Sequence, residues 1–317
     1  MELIRGLHNL RSRHRGCAAT IGNFDGVHRG HQAVLKSLHH EAQRLAVPTC
    51  VITFEPLPAE YFAPPEQAPV RLMRLRERYT LLASEGIDQL LILPFNRKLA
   101  STEAPVFVEQ VLVQGLGIRY LLVGDDFKFG RHRTGDFALL QRMSETHGYS
   151  IERSPTHSDN HIRISSTRIR ELLKEGDLQG AEVLLGRPYA IQGHVGYGAQ
   201  RGRTIGFPTA NIMLGNHRPP LNGVYAVTTD IDGITVAGIA NLGIKPTVNG
   251  KRLSLEVHLL DYQVDLYGRL LRVEFVHKLR NEKRFESFDE LKTAIATDEA
   301  NARSWFADNP DVMKTQH

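Results

Sequence analysis

A short apolar run, a glycine-rich turn and a helical pattern follow one another directly near the start of the chain. Residues 17–21 have the apolar character of a buried strand, and apolar side chains recur at helical spacing over residues 32–45. The turn between them carries His28-x-Gly30-His31. In a strand–turn–helix unit of this kind, free backbone N–H groups and the helix dipole face a bound anion. The segment therefore predicts a βα unit with a phosphate site at its turn.

Two histidines stand at the end of this turn. His28 and His31 are three residues apart, so both side chains lie on one face of the first helical turn. An enzyme that uses ATP needs such groups where charge builds on the α-phosphate. A single histidine in a turn is more often structural than catalytic. The pair gains weight from the flanking glycines and from the distant segments described below.

The first half of the chain alternates between strand and helix patterns. Apolar runs at residues 49–54, 89–94 and 119–124 are typical of buried strands, and residues 71–85 and 105–116 have helical spacing between them. Strands that alternate with helices of this length form parallel βαβ units. We therefore expect a Rossmann-like α/β domain with a parallel sheet, whose ligands bind beyond the carboxyl ends of the strands.

Two further segments are candidates for that edge of the sheet. Residues 124–130 combine aspartates, phenylalanines and glycines, which suits a flat ring joined to phosphate, although an ordinary exposed loop is the simpler interpretation. Residues 164–170 contain Ser-Ser-Thr-Arg-Ile-Arg at a predicted helix start. Ser and Thr usually cap helices in that position. Beside two arginines, the same donors could also hold a triphosphate.

The pattern changes after a helical stretch over residues 171–186. A Gly-Arg-Pro sequence breaks that helix, so we place the domain boundary near residue 185 and divide the chain into residues 1–185 and 186–317. Beyond it, turn signals separate short strand patterns, and the tail has helical spacing over residues 287–306. This half is expected to form a small antiparallel β-barrel with a terminal helix. The predicted strands cover residues 190–195, 223–229, 234–241, 254–260 and 270–277.

The barrel half has its own glycine-rich segment, which covers residues 193–211 and contains five glycines among basic and hydroxyl residues. Backbone in such a loop can approach phosphate closely. The segment ends in Phe-Pro-Thr-Ala-Asn, in which Thr209 and Asn211 offer oxygen ligands of the kind that Mg²⁺ accepts. The Gly-Lys-Ser/Thr ending of a Walker A loop is missing. A glycine-rich hairpin with structural bulges is the alternative interpretation.

A carboxylate follows further along the same half. Glu256 and His258 are two residues apart in a predicted strand and so share one face. If that face lines the barrel mouth, Glu256 can accept a proton from a substrate hydroxyl. If it faces solvent, Glu256 is an ordinary surface residue. Periodicity alone leaves the two interpretations open.

Composition limits the other classes of function. The net charge is +4, but the basic residues are dispersed and aromatic residues make up only 7%. A solvated surface is therefore a better interpretation than a nucleic-acid-binding groove, which is the main alternative from another class. Two cysteines argue against a disulfide framework and against a cysteine zinc site. Neither a signal-peptide pattern nor an apolar run of membrane-spanning length is present, so we expect a cytoplasmic protein without a membrane partner.

Six segments in this order resemble the bacterial bifunctional riboflavin kinase/FMN adenylyltransferases, also called FAD synthetases, and the resemblance extends from Ala18 to about Ile295. The His-x-Gly-His sequence alone would indicate only the wider nucleotidyltransferase superfamily, whereas the two halves together are highly specific. The segments are Gly22 to His31, Thr53-Phe54-Glu55-Pro56, Val123 to Gly130, Ile164 to Arg170, Gly206 to Asn211 and Glu256-Val257-His258.

The resemblance implies that the N-terminal domain transfers AMP from ATP to FMN, giving FAD and pyrophosphate. It implies that His28 and His31 stabilise the α-phosphate as this becomes pentacoordinate. The implied triphosphate clamp consists of Ser165, Ser166, Thr167 and Arg170. The wider ATP site would include Gly22, Asn23, Phe24, Asp25 and Gly30, and FMN would contact Asp125, Asp126, Phe127 and Phe129.

For the C-terminal barrel, the resemblance implies transfer of the γ-phosphate of ATP to the ribityl 5′-hydroxyl of riboflavin, giving FMN. Glu256 is the implied catalytic base, and Thr209 and Asn211 are the implied Mg-ATP residues. FMN and FAD are then products rather than prosthetic groups. The alternative within the family is a chain with only one of the two activities, and the oligomeric state is left open. ATP would also contact Gly198, Gly202, Arg203, Phe207 and Pro208.

Overall fold

The computed structural model divides the chain into two compact units. The first comprises Met1–Pro69 and Arg74–Ser166, and the second comprises Val70–Met73 and Thr167–His317. The described residues are 1–64, 67–154, 158–159, 162–197, 207–215, 217–247, 250–262 and 264–314.

The first unit is built on a parallel sheet. Its six strands are β1 (Glu2–Arg5), β2 (Ala18–Ile21), β3 (Thr49–Glu55), β4 (Gln89–Pro94), β5 (Tyr120–Gly124) and β6 (Ser150–Ser154). Their order across the sheet is β1-β4-β3-β2-β5-β6, and all neighbours run parallel. The predicted Rossmann-like α/β architecture is confirmed. The two edge strands were not predicted, because most of their side chains are exposed and they lack a continuous apolar run.

Helices connect these strands. They are α1 (Arg29–Leu45), α2 (Pro58–Phe62), α3 (Leu75–Ser84), α4 (Arg97–Ala100), α5 (Ala104–Phe107) and α6 (Phe137–His147). The helix predicted over residues 105–116 is α-helical only at its start and continues as a π-helical segment, Val108–Gly115. Short 3-10 turns lie at Leu7–Asn9, Ser12–His14 and Arg131–Arg133, and Ser158–Asp159 (β7) pairs with Ile162–Arg163 (β8).

Both cysteines lie in the core of this sheet. Cys17 directly precedes β2, Cys50 belongs to the neighbouring β3, and both side chains are fully buried. The hydrogen bond with Cys17, together with burial, raises the pKa of the Cys50 thiol. The two thiols therefore contribute to packing rather than to a reactive surface.

The second unit begins with two helices where one was predicted. The helical pattern over residues 171–186 is divided between α7 (Ser166–Glu175) and α8 (Leu178–Leu185). Gly176 ends the first at a φ of 87°, and the side chain of Asp177 caps the second by accepting from the backbone N–H of Gly180 at 2.8 Å. Because α8 packs on barrel strands, these helices group with the second unit. The functional boundary near residue 185 stays a prediction.

The rest of the second unit is a closed antiparallel barrel, as predicted. Its strands are β9 (Tyr189–Gly196), β10 (Ala210–Ile212), β11 (Gly223–Ile231), β12 (Ile234–Thr247), β13 (Gly250–Leu259) and β14 (Leu270–Arg280). They close in the order β10-β13-β12-β11-β14-β9. Strand β10 was missed because three residues are too short to show a period. Among the described residues, no helix combines the length and the apolar character needed to cross a membrane.

The predicted terminal helix is α9 (Phe288–Asp308), which a 3-10 turn at Pro310–Met313 follows. It packs on the outside of the barrel through Ala302 and Phe306, against residues that include Val224 and Ile239. A partly buried ion pair fixes it further, since Asp298 accepts from Nε of Arg280 at 2.8 Å and from Nη2 at 2.8 Å. The barrel and its helix thus share one apolar layer and one charged anchor.

Asp298→Asn should destabilise the second unit by about 3 kcal/mol, because the change leaves the partly buried guanidinium of Arg280 without its carboxylate. Urea unfolding followed by the fluorescence of Trp305, the chain's single tryptophan, measures the effect. Asp308→Asn at the exposed end of the same helix is the matched control. Equal midpoints for the two variants would show that the ion pair does not anchor the helix.

A second pair also joins the barrel to α9. His277 of β14 stacks on Trp305, with ring centroids 5.2 Å apart and planes inclined by 8°. Desolvation lowers the pKa of His277 below its usual value of 6.5. The folded state thus favours neutral His277, so the stability that this preference provides is present above pH 6.5 and is lost as the pH falls towards the folded-state pKa.

Tryptophan emission should report this protonation, because an imidazolium ring quenches an indole in contact with it. We expect emission to fall on acidification with a midpoint below pH 6.5. In a fluorescence titration of His277→Gln that transition should be absent. Its persistence in the variant would assign the titration to another group.

Candidate active sites

The turn that follows β2, residues 22–31, is called here the histidine turn, and part of its backbone is strained. Phe24 has a φ of 49° and Val27 a φ of 38°, both in the left-handed region. For a β-branched residue such as Val27 this conformation is rare, and each such residue costs about 1–3 kcal/mol. Strain of that size persists only where the surroundings hold the backbone. The contacts of the turn therefore explain its shape.

The structure brings the two imidazoles together at the start of α1. His28 is the N-cap residue, and its Nδ1 accepts the backbone N–H of His31 at 3.3 Å. The rings are stacked with centroids 3.6 Å apart and planes inclined by 13°. The ring of Phe24 also contacts His31, with ring centroids 4.8 Å apart. A cap bond and two ring contacts thus orient the histidine pair.

Gly30 allows the predicted segment of residues 164–170 to lie close to the histidine turn. A Cβ at this position would lie 3.2 Å from His28 Nδ1 and 3.6 Å from the carbonyl oxygen of Ile164. Two residues beyond Ile164, the hydroxyl of Ser166 donates to the carbonyl oxygen of Asp25 at 2.8 Å. The structure therefore joins residues 22–31 and 164–166 into one site, as the sequence led us to expect.

Arg78, which the sequence analysis did not single out, supports the turn together with Thr53. The carbonyl oxygen of Asn23 accepts from Nη1 of Arg78 at 2.7 Å and from Oγ1 of Thr53 at 3.4 Å. Nη2 of Arg78 also donates to Glu55 at 3.2 Å. The available signal was a charged residue on the buried face of α3, one turn before Leu82.

The second predicted segment lies at the same edge of the sheet, because β5 and β2 are neighbours. Asp125 and Asp126 are exposed and Phe127 is half-buried. Phe129 is buried in the core instead, with its ring 5.6 Å from that of Phe107. This core position differs from the ligand-facing surface that was expected for Phe129. The FMN contacts of the four residues stay a prediction.

The remaining residues of the predicted clamp differ in exposure. Ser165 is half-buried and Thr167 is exposed at the start of α7. Arg170 is half-buried, and its Nε donates to the carbonyl oxygen of Val70 at 2.6 Å. Nη1 of Arg168 forms an ion pair with Glu171 at 3.2 Å. Arg170 thus already has a backbone partner, and its place in the clamp stays a prediction.

Strand register defines the candidate site of the barrel. Glu256 of β13 stands opposite Asn211 of β10 on one side and opposite Asn241 of β12 on the other. Its neighbours Leu255 and Val257 are buried at 0% and 1% exposure. Because side chains alternate along a strand, Glu256 lies on the outer face of the barrel wall. Its side chain is half-buried there rather than fully exposed, so whether this face lines the mouth of a substrate site stays a prediction.

A cavity of about 680 Å³ opens beside these strands, and Pro208 and Thr209 form part of its wall. The ring of Phe207 is 5.5 Å from that of His258, whose Nδ1 is 2.8 Å from the carbonyl oxygen of Pro208. The structure thus holds the Phe-Pro-Thr-Ala-Asn segment against β13. The other predicted ATP contacts, Gly198, Gly202 and Arg203, lie outside the described residues.

Possible metal ligands in the barrel are oxygen atoms. Within the described ranges, no cluster of three or more His, Cys, Asp or Glu side chains could hold a metal ion. Thr209 and Asn211 offer a hydroxyl and an amide, and Asn211 stands opposite the carboxylate of Glu256. Such a donor set fits a hard cation that keeps water and substrate oxygens as further ligands.

Comparisons with known proteins identify both halves. A family model described as FAD synthetase matches residues 10–168, and one described as riboflavin kinase matches residues 185–306. The chain is therefore a two-domain protein that joins an FAD synthetase domain to a riboflavin kinase domain. It belongs to the family of bifunctional riboflavin kinase/FMN adenylyltransferases.

Relatives of full length carry that family name. The protein from Pseudomonas fluorescens is 52% identical over 305 residues, covering 96% of this chain and 97% of its own. The protein from Escherichia coli K12 is 49% identical over 310 residues, covering 96% and 98%. A solved structure named Macrolide-efflux Protein from Streptococcus pneumoniae has a TM-score of 0.82 and 29% identity, covering 96% of this chain and all of that one. The efflux activity in its name is stated of that protein alone.

Proposed function

We propose that the chain makes FAD from riboflavin in two ATP-consuming steps. In the first, the barrel transfers the γ-phosphate of ATP to the 5′-hydroxyl of riboflavin, giving FMN and ADP. In the second, the first unit transfers AMP from another ATP to the phosphate of FMN, giving FAD and pyrophosphate. The observation that carries the proposal is the stacked pair of His28 and His31 at the N-terminus of α1. The names of the relatives support both steps.

His28 is suited to donate to the α-phosphate. Its Nδ1 accepts the backbone N–H of His31, so the geometry assigns the proton of the neutral ring to Nε2. Attack at the α-phosphorus adds negative charge to the phosphate oxygens, and fixed donors stabilise that charge more in the transition state than in the ground state. The phosphate of FMN is already an anionic nucleophile. Adenylyl transfer therefore depends on positioning and charge neutralisation rather than on a base.

The barrel step starts from a neutral hydroxyl and so benefits from a base. Glu256 is the proposed base, and its position between Asn211 and Asn241 supports a fixed orientation of its carboxylate. Thr209 and Asn211 are the proposed ligands of Mg²⁺, together with water and nucleotide oxygens. When bound, Mg²⁺ would neutralise phosphate charge during the transfer.

We infer the cytoplasm as the location, because ATP is a substrate of both proposed steps and both thiols are free. Riboflavin, FMN and ATP are the proposed small-molecule partners. The absence of a nucleic-acid partner stays a prediction from the dispersed basic charge.

Replacement of His31 by Ala should abolish FAD formation from FMN while riboflavin is still phosphorylated, because the change removes one stacked imidazole from the α-phosphate site. Chromatographic separation of FMN and FAD after incubation with ATP and Mg²⁺ measures both products. His40→Ala, at an exposed position of the same helix, is the control. FAD formation by His31→Ala at the rate of this control would contradict the assignment.

Glu256→Gln should have the opposite pattern. Loss of the carboxylate should slow FMN formation by about 100-fold or more, as expected for a general base, and leave conversion of supplied FMN to FAD unchanged. Glu274→Gln is the matched control, since Glu274 is a half-buried residue on another strand of the barrel. An unchanged kinase rate in Glu256→Gln would remove Glu256 from the mechanism. The same assays on the wild-type chain show whether one activity or both are present.

A further inference from the structure

The mechanism above makes no use of Arg78, although its side chain is one of the few charged groups that the core contains. Arg78 is 2% exposed and lies on α3. Burying a guanidinium is costly unless partners satisfy it. Nη1 donates to the carbonyl oxygen of Asn23 at 2.7 Å, and Nη2 donates to Glu55 at 3.2 Å. One partner belongs to the histidine turn and the other ends β3, so the guanidinium bridges two segments of the site edge.

The contact with Asn23 determines the direction of the next peptide N–H. A trans peptide is planar, so its C=O and the following N–H point in opposite directions. When Arg78 and Thr53 hold the carbonyl of Asn23 towards the core, the N–H of Phe24 is directed away from them. The oxygens of a bound phosphate accept hydrogen bonds from the backbone N–H groups of such a turn. Arg78 therefore orients a donor without touching the ligand itself.

The same contact acts next to the strained part of the turn. Phe24, with a φ of 49°, directly follows the peptide that Arg78 holds. Directly after Phe24 in the chain, the carbonyl oxygen of Asp25 accepts a hydrogen bond from the hydroxyl of Ser166 at 2.8 Å. A charge-assisted bond is roughly twice as strong as a neutral one. Arg78 is a charged donor, whereas Thr53 and Ser166 hold these two carbonyls through neutral hydroxyls.

We propose that Arg78 is a positioning residue for adenylyl transfer, and that Glu55 orients its guanidinium. The proposal rests on the proposed function of the first unit. An arginine suits this position because its planar fork reaches a carbonyl and a carboxylate at once, whereas a lysine presents a single point charge. The contacts of Arg78 thus hold the phosphate-facing backbone in the shape that His28 and His31 require.

Steady-state conversion of FMN to FAD tests this role in Arg78→Met, Arg78→Lys and Glu55→Gln. Arg76→Met, an exposed position of the same helix, is the control. A small displacement of positioned groups can cost about 100-fold in rate, so we expect kcat of Arg78→Met to fall by about 10- to 100-fold, with smaller losses in the other two variants. Riboflavin phosphorylation by the same preparations should be unchanged.

A second readout separates positioning from loss of folded enzyme. The two diastereomers of ATPαS place sulfur at different oxygens of the α-phosphate, and the ratio of their rates does not depend on the amount of active protein. Arg78→Met should change this ratio, Arg78→Lys should restore it in part, and Arg76→Met should keep the wild-type value. A lower rate with an unchanged ratio would overturn the proposal, as would wild-type kinetics in Arg78→Met. If the wild-type chain makes no FAD, the proposed function fails, and this inference with it.

Discussion

The orientation of two backbone carbonyls is the constraint on which the N-terminal site depends. A turn can offer N–H groups to a phosphate only when its carbonyl oxygens point elsewhere and are satisfied there. In this chain the carbonyl of Asn23 accepts from Arg78 and Thr53, and the carbonyl of Asp25 accepts from Ser166. These donors come from α3, β3 and the start of α7. The site therefore requires several elements distant in sequence.

The barrel meets a related requirement through strand pairing. Closure leaves no free edge, so β13 is flanked by β10 and β12. Register then fixes a row of Asn211, Glu256 and Asn241 across three strands. Side-chain alternation puts this row on the outer face of the barrel wall and leaves the interior to apolar side chains such as Leu255 and Val257. Pairing geometry thus positions the proposed base without a dedicated loop.

The sequence was sufficient to predict the architecture, because the apolar periodicity of each strand or helix and the turn residues at its ends can be read within that single segment. Continuous apolar runs predicted β2 to β5, and alternation with turns predicted the barrel. The edge strands β1 and β6 lacked such runs and were therefore missed. One predicted helix is in fact two, divided at Gly176. This break was not predicted, because a glycine inside a helical pattern can either end the helix or be tolerated within it. The candidate site was predictable where its functional residues lie within one short segment of the sequence, as His28 and His31 do. The role of Arg78 was not predictable, because its partner Asn23 lies 55 residues away in the chain. The face on which Glu256 lies was not predictable either, because it depends on the pairing of β13 with neighbouring strands.

The two proposed steps differ in the charge of the acceptor, and the two sites differ in the same sense. Riboflavin presents a neutral hydroxyl, which becomes a nucleophile as a base removes its proton, and the barrel has a carboxylate. FMN presents an anion, which a carboxylate in the turn would repel, and the turn has imidazoles, a helix N-terminus and backbone N–H groups. Asp25, the acidic residue of the turn, is buried, and its carbonyl is held by Ser166. One chain can therefore hold both reactions because each half supplies the electrostatics that its own acceptor requires.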